Sequence, residues 1–160
     1  MISFDTGTHR FNLRAAAIVL HEGKVLLHRP EGDDFWSAPG GRVEAGETAA
    51  QAVVRELREE VAESASCGQL LWVVENFFTY RGSKHHEVGL YFHVQLSPES
   101  LVLRATEPVR GTENQVNLTY AWFERLRLTE AEVRPTFLSE ALSQPKLEFR
   151  HYVHHEREAP

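Results

Sequence analysis

Glu56, Glu59 and Glu60 stand at i, i+3 and i+4 in the segment ETAAQAVVRELREEVAE. At about 100° per residue, all three carboxylates leave one narrow face of a helix. Like charges at those spacings repel by about 0.2–0.5 kcal/mol per pair. The C-terminal half of a helix is also where the macrodipole disfavours anions. Two local rules are broken together, and such breaches mark functional sites. A bound divalent cation reverses both penalties, and oxygen-only ligands suit Mg²⁺ or Mn²⁺ rather than zinc. Glutamate is equally a good helix former, so a solvated acidic face is the competing reading of this helix taken alone.

Residues upstream extend the pattern. Gly41 is followed after five residues by Glu47, and after seven more by Arg55-Glu56-Leu57-Arg58-Glu59-Glu60. Trp36-Ser37-Ala38-Pro39-Gly40-Gly41 leads into it. The stretch Gly41 to Glu63 resembles the signature of the Nudix hydrolases, and the lead-in is similar to their Trp-x-x-Pro-Gly-Gly. The resemblance implies a Nudix-type α/β/α sandwich with a mixed sheet between helices. It implies hydrolysis of a phosphoanhydride bond in a nucleoside diphosphate linked to another moiety, dependent on Mg²⁺ or Mn²⁺. It makes Glu56, Glu59, Glu60 and the carbonyl of Gly40 metal ligands, with Glu56 or Glu60 as general base. Arg55 would orient a glutamate through a charge-assisted bond, with Glu47 as its partner. Some family members take a further acidic ligand or base from a later loop, and Glu87 and Glu113 are the candidates. Tyr80, 17 positions beyond Glu63, resembles a tyrosine found near that offset in diadenosine polyphosphate hydrolases of the family.

Two positions depart from the family pattern, which has glycine and then an aliphatic residue where this chain has Ala62 and Glu63. Alanine resists the left-handed conformation, so the helix is expected to end differently or run on. Glu63 is expected on the acidic face, seven residues after Glu56. Arg29, Phe35 and Trp36 flank the glycine loop and suit a phosphate or a stacked base, with core packing the alternative for the aromatics. His85-His86-Glu87 lacks the spacing of a zinc protease and reads as a polar turn entering a strand.

These residues need elements to hold them. Leu13 to Leu20 and Lys24 to Arg29 read as neighbouring strands joined by a turn at Glu22-Gly23. The glycines and prolines from Pro30 to Glu47 make that stretch a loop. Thr48 to Val61 reads as a helix with Ala50, Val54, Leu57 and Val61 on its apolar face. Strands are expected at Gln69 to Tyr80, Val88 to Leu96 and Tyr120 to Phe123, and a short helix at Thr136 to Leu142. Arg150 to His155 reads as a surface strand of mixed charge.

Composition narrows the class. The chain has 160 residues and a net charge of −6, which argues against non-specific binding to a nucleic-acid polymer. No apolar run approaches the roughly 20 residues that span a bilayer, and the start lacks the pattern of a signal peptide. Cys67 stands alone, in keeping with a reducing compartment. The expectation is a single cytoplasmic domain over residues 1–160 acting on a small-molecule nucleotide, with a homodimer common in the family. Two alternatives come from other classes. One is a catalytically inactive Nudix-like module that binds nucleotide, favoured only by Ala62 and Glu63. The other is an isoprenoid diphosphate isomerase, for which Cys67 gives little support.

Overall fold

The computed structural model describes residues 1–157, so the last three positions of the expected 1–160 domain lie outside the described residues. The elements run β1 (Ser3–Asp5), β2 (Arg10–Ile18), β3 (Leu20–His21), β4 (Lys24–Pro30), β5 (Gly40–Arg42) and α1 (Ala49–Val61). They continue as β6 (Ala65–Tyr80), β7 (Ser83–Leu96), α2 (Leu101–Arg104), β8 (Val109–Glu113) and β9 (Val116–Glu124). A 3₁₀ segment (Arg125–Glu130), α3 (Phe137–Ser143) and β10 (Arg150–His155) complete the chain.

The strands form two sheets. The larger has the order β1-β2-β7-β6-β10, with β5 paired to β2. It is mixed, because β2–β7 and β6–β10 are parallel while its other pairs are antiparallel. The smaller, β3-β4-β9-β8, is antiparallel throughout. The mixed sheet between helices is therefore present, and a second sheet accompanies it.

Alternation along β2 shows how the layers are built, since successive side chains of a strand point to opposite faces. Ala15 and Ala17 join Ala52, Val53 and Leu57 of α1 in one core. Ala16 and Ile18 join Leu138, Ala141 and Leu142 of α3 in the other. The small Ala15 and Ala17 let α1 approach the sheet closely.

Thr48 caps α1, its side chain accepting from the Gln51 N–H while Gln51 bonds back to the Thr48 backbone. The helix is turned about its axis relative to the sequence expectation. Its buried residues are Ala52, Val53, Glu56, Leu57 and Glu60, whereas Ala50 and Val54 lie toward the rim. Two glutamates thus occupy the inward stripe that apolar periodicity assigned to other residues.

The helix also ends as glycine would end it. Ala62 adopts φ 57° and ψ 29°, and its N–H donates to the Arg58 carbonyl. That left-handed alanine costs about 1–2 kcal/mol. Glu63 does not lie on the acidic face. Its carboxylate is buried and accepts from the backbone N–H of Val102 at 3.0 Å, tying the helix end to α2. The expected polar turn at His85-His86-Glu87 is part of β7 instead. His85 meets Asn12 at 3.1 Å and His86 stacks on Phe77, so the three side chains do not converge.

Candidate active site

The inward face of α1 meets the β5 backbone on one side and the β8–β9 ribbon on the other. Two glycines set the first approach. Gly40 has φ 148°, and a β-carbon there would stand 2.0 Å from the Ala15 carbonyl oxygen. On Gly41 a β-carbon would meet the Glu56 carboxyl carbon at 2.4 Å, so the missing side chain is the space that Glu56 fills. Gly111 of β8 sets the second approach, where a β-carbon would lie 2.6 Å from the Glu60 carbonyl oxygen and 3.0 Å from the Tyr120 ring.

Arg55 organises the acidic side chains. Its Nε and Nη2 donate to both oxygens of Glu47, at 3.1 and 2.7 Å. Its Nη1 donates to Glu56 Oε1 at 2.8 Å and to Glu59 Oε2 at 3.1 Å, and Nη2 also reaches the Arg42 carbonyl. The pairing of Arg55 with Glu47 is the one expected from sequence. That hydrogen bond holds the Glu47 carboxyl below the usual glutamate range, helped by the Glu44 N–H. Burial pushes the Glu56 carboxyl up, with Arg55 opposing and neighbouring Glu60 adding to the rise.

The depressed Glu47 makes stability depend on pH. A folded value below the ordinary 4.5 means that the pair stabilises fully above 4.5 and is lost as the pH falls through the folded value. Glu47→Gln is expected to lower stability by about 1 kcal/mol at pH 7. In urea unfolding, the gap to the unsubstituted protein should close as the pH falls below 4.5.

The structure brings together Glu56, Glu60 and Glu113, whose carboxylate oxygens can all lie within 4.8 Å of one another. Glu60 is sunk deepest, its side chain 2% exposed. Its Oε2 accepts from the Tyr120 hydroxyl, and its Oε1 is buried without a partner. Burial and the Glu60 charge push the Tyr120 phenol far above its ordinary range, so it remains a donor. His28 Nδ1, also buried and unpartnered, lies 3.7 Å from Glu60 Oε2. A divalent cation fits this set. Three carboxylates converge, and Glu60 among them carries a buried oxygen with no partner, which is costly without a counter-charge.

Other expected residues take different places. Glu59 is 59% exposed at its side chain and stays outside the three-carboxylate cluster, bonded to Arg55. Glu87 is also outside it, in β7, where burial raises its carboxyl against the pull of Arg14 and Arg42. Arg29 lies over the Trp36 ring at 4.5 Å, and Trp36 packs edge-on against Phe123. The Tyr80 hydroxyl is engaged by Asp33 at 2.9 Å, and Phe35 packs against the Tyr80 ring, so Tyr80 anchors the loop. Sequence reasoning missed Tyr120, His28 and Gly111. His28 left a signal, since it shares a strand face with Leu26 in a run of buried residues. Tyr120, inside an apolar strand, left none.

The fold and the box of residues from Gly41 to Glu60 define a class, and comparison bears it out. The NUDIX domain family model matches residues 11–143, and the chain belongs to that family. Among curated relatives, the CTP pyrophosphohydrolase of Escherichia coli (strain K12) is 47% identical over 58 residues, 34% of this chain and 43% of its own. The RNA pyrophosphohydrolase of Edwardsiella ictaluri (strain 93-146) is 33% identical over 113 residues, 70% of this chain and 52% of its own. The chain thus spans about half or less of the length of these relatives. A solved UDP-X diphosphatase aligns with TM-score 0.62 at 21% identity, covering 89% of this chain and 66% of the other. The E. coli ORF135 protein aligns with TM-score 0.53 at 27% identity, covering 86% and 92%.

Proposed function

We propose that this chain is a hydrolase of the phosphoanhydride bond in a small nucleoside diphosphate derivative, dependent on Mg²⁺ or Mn²⁺. One observation carries the reading: Glu56, Glu60 and Glu113 converge, with Glu60 Oε1 buried and unpartnered. Membership of the NUDIX family and the pyrophosphohydrolase names of the relatives support the same reading. Glu56, Glu60, Glu113 and the Gly40 carbonyl would hold the metal, with Glu59 at the rim. Bound there, the metal would neutralise the diphosphate and lower the pKa of the attacking water.

The chain's own residues do the rest. Arg55 holds Glu56 through Oε1, which leaves one Glu56 oxygen for the cation, or for a proton from water where Glu56 rather than Glu60 is the base. Arg29, stacked on Trp36, would offer a guanidinium to a phosphate oxygen. The net charge of −6 suits a small nucleotide brought in by a cation better than a nucleic-acid polymer. A cytoplasmic site of action and a homodimer complete the proposal.

The test is a release assay on CTP, ADP-ribose, UDP-glucose and RNA bearing a 5′-triphosphate, with and without Mg²⁺ or Mn²⁺. Metal-dependent cleavage of a small nucleotide is expected. If nucleotide bound but none of these substrates turned over with either metal, the hydrolase reading would give way to a binding module.

A further inference from the structure

Tyr120 contributes no group that the reaction itself calls for, yet its hydroxyl is spent on a carboxylate of the acidic cluster. We propose that Tyr120 is a positioning residue for the metal centre, whose hydroxyl holds Glu60 Oε2 and so leaves Oε1 as the oxygen offered to the cation. This rests on the metal-dependent reading above.

The geometry is specific to the tertiary fold. Tyr120 lies on β9, paired with Val109 of β8 and with His28 of β4. Its ring is 1% exposed and meets the His28 ring edge-on at 5.4 Å, so it has no room to swing away. Gly111 of β8 makes the approach possible, because any side chain there would collide with both the Glu60 backbone and the Tyr120 ring. Two residues further along the same strand, Glu113 delivers its own carboxylate to the cluster. One β-ribbon therefore supplies a ligand and orients another.

The physical argument concerns the two oxygens of Glu60. A carboxylate at the end of a long side chain presents either oxygen, and rotation between them costs a cation part of its binding energy. Hydrogen bonds from a second layer of residues remove that freedom, and losing one typically weakens metal binding by 10–100-fold. Water cannot replace the phenol, since the Glu60 side chain is almost wholly buried. Phenylalanine at position 120 would keep the packing and delete only the donor.

The experiment is a Mn²⁺ titration followed by electron paramagnetic resonance on the unsubstituted protein, Tyr120→Phe and Glu60→Gln, with thermal melting alongside. Tyr120→Phe is expected to bind Mn²⁺ about tenfold more weakly. Its kcat should fall at low Mn²⁺ and recover with excess, while the KM for nucleotide at saturating metal stays unchanged. A merely structural tyrosine would lower the melting temperature and leave Mn²⁺ affinity alone. Unchanged affinity in Tyr120→Phe beside a loss in Glu60→Gln overturns the proposal and spares the hydrolase reading. No Mn²⁺ binding by the unsubstituted protein overturns both.

A second measurement needs no substitution at position 120. Mg²⁺ titration of protein carrying ¹³C at the tyrosine Cζ should shift one of its four tyrosine signals, assigned by replacing the other three in turn. Cation binding draws charge from Glu60 and weakens the bond that this phenol donates. No shift at concentrations that occupy the site overturns the proposal.

Discussion

Glu56→Gln and Glu60→Gln are each expected to lower kcat/KM by about 10³-fold, whereas Glu59→Gln should cost less than about tenfold. The three glutamates are equivalent in spacing but not in place. Glu56 and Glu60 face inward and converge with Glu113, while Glu59 points outward and is bonded to Arg55. An amide at position 56 or 60 would lose the charge that the proposed cation needs. At position 59 an amide oxygen still accepts from Arg55. Stability should move the other way for one of them. Burial and the Glu60 charge raise the Glu56 carboxyl, so its ionised form opposes folding at neutral pH. Glu56→Gln is therefore expected to raise the melting temperature in EDTA while it abolishes most turnover. Steady-state rates with Mg²⁺ and thermal melts on the three variants measure both. Equal losses at 56, 59 and 60 would show that Glu59 turns inward when the site is loaded.

Gly40→Ala is expected to have the largest effect on stability, about 3–5 kcal/mol in urea unfolding, with loss of activity. The added β-carbon would stand 2.0 Å from the Ala15 carbonyl oxygen and 2.8 Å from the Ala16 α-carbon. Both are backbone atoms in the middle of a sheet, so neither neighbour can rotate away. The positive φ of 148° adds strain for any L side chain. The pairing of β5 with β2 would have to open, carrying with it Gly41 and the space that Glu56 occupies. Gly46→Ala is the control. It also has positive φ, at 87°, but nothing lies within 4 Å of its added carbon. It should cost only the backbone strain, about 1–2 kcal/mol.

Much of the fold was legible because its signals are local. Thr48 and Gln51 cap α1 where the pattern begins, and the chain turns at Glu22-Gly23 as expected, although the turn joins β4 to the short β3 because the expected Leu13–Leu20 strand breaks after Ile18. The polar stretch after Ser97 concealed α2 and β8, four and five residues long, because elements so short bury too little to leave a period. The ending of α1 was misread for a different reason. Propensity alone argues against a left-handed Ala62, but the Glu63 carboxylate anchored on Val102 holds the turn in place.

By itself the sequence determined the chemistry on offer. The spacing of Gly41, Glu47, Arg55, Glu56, Glu59 and Glu60 specifies a helix with paired carboxylates, an arginine to hold them and a glycine loop beside them. Only the tertiary structure decided which carboxylates meet. Periodicity names the residues that share a helix face, but packing on the sheet sets how far the helix is turned about its axis. That rotation sends Glu60 inward and Glu59 out. Glu113 and Tyr120 reach the cluster through the register of β8 and β9. Register joins residues far apart in the chain through hydrogen bonds that leave no mark on either local segment.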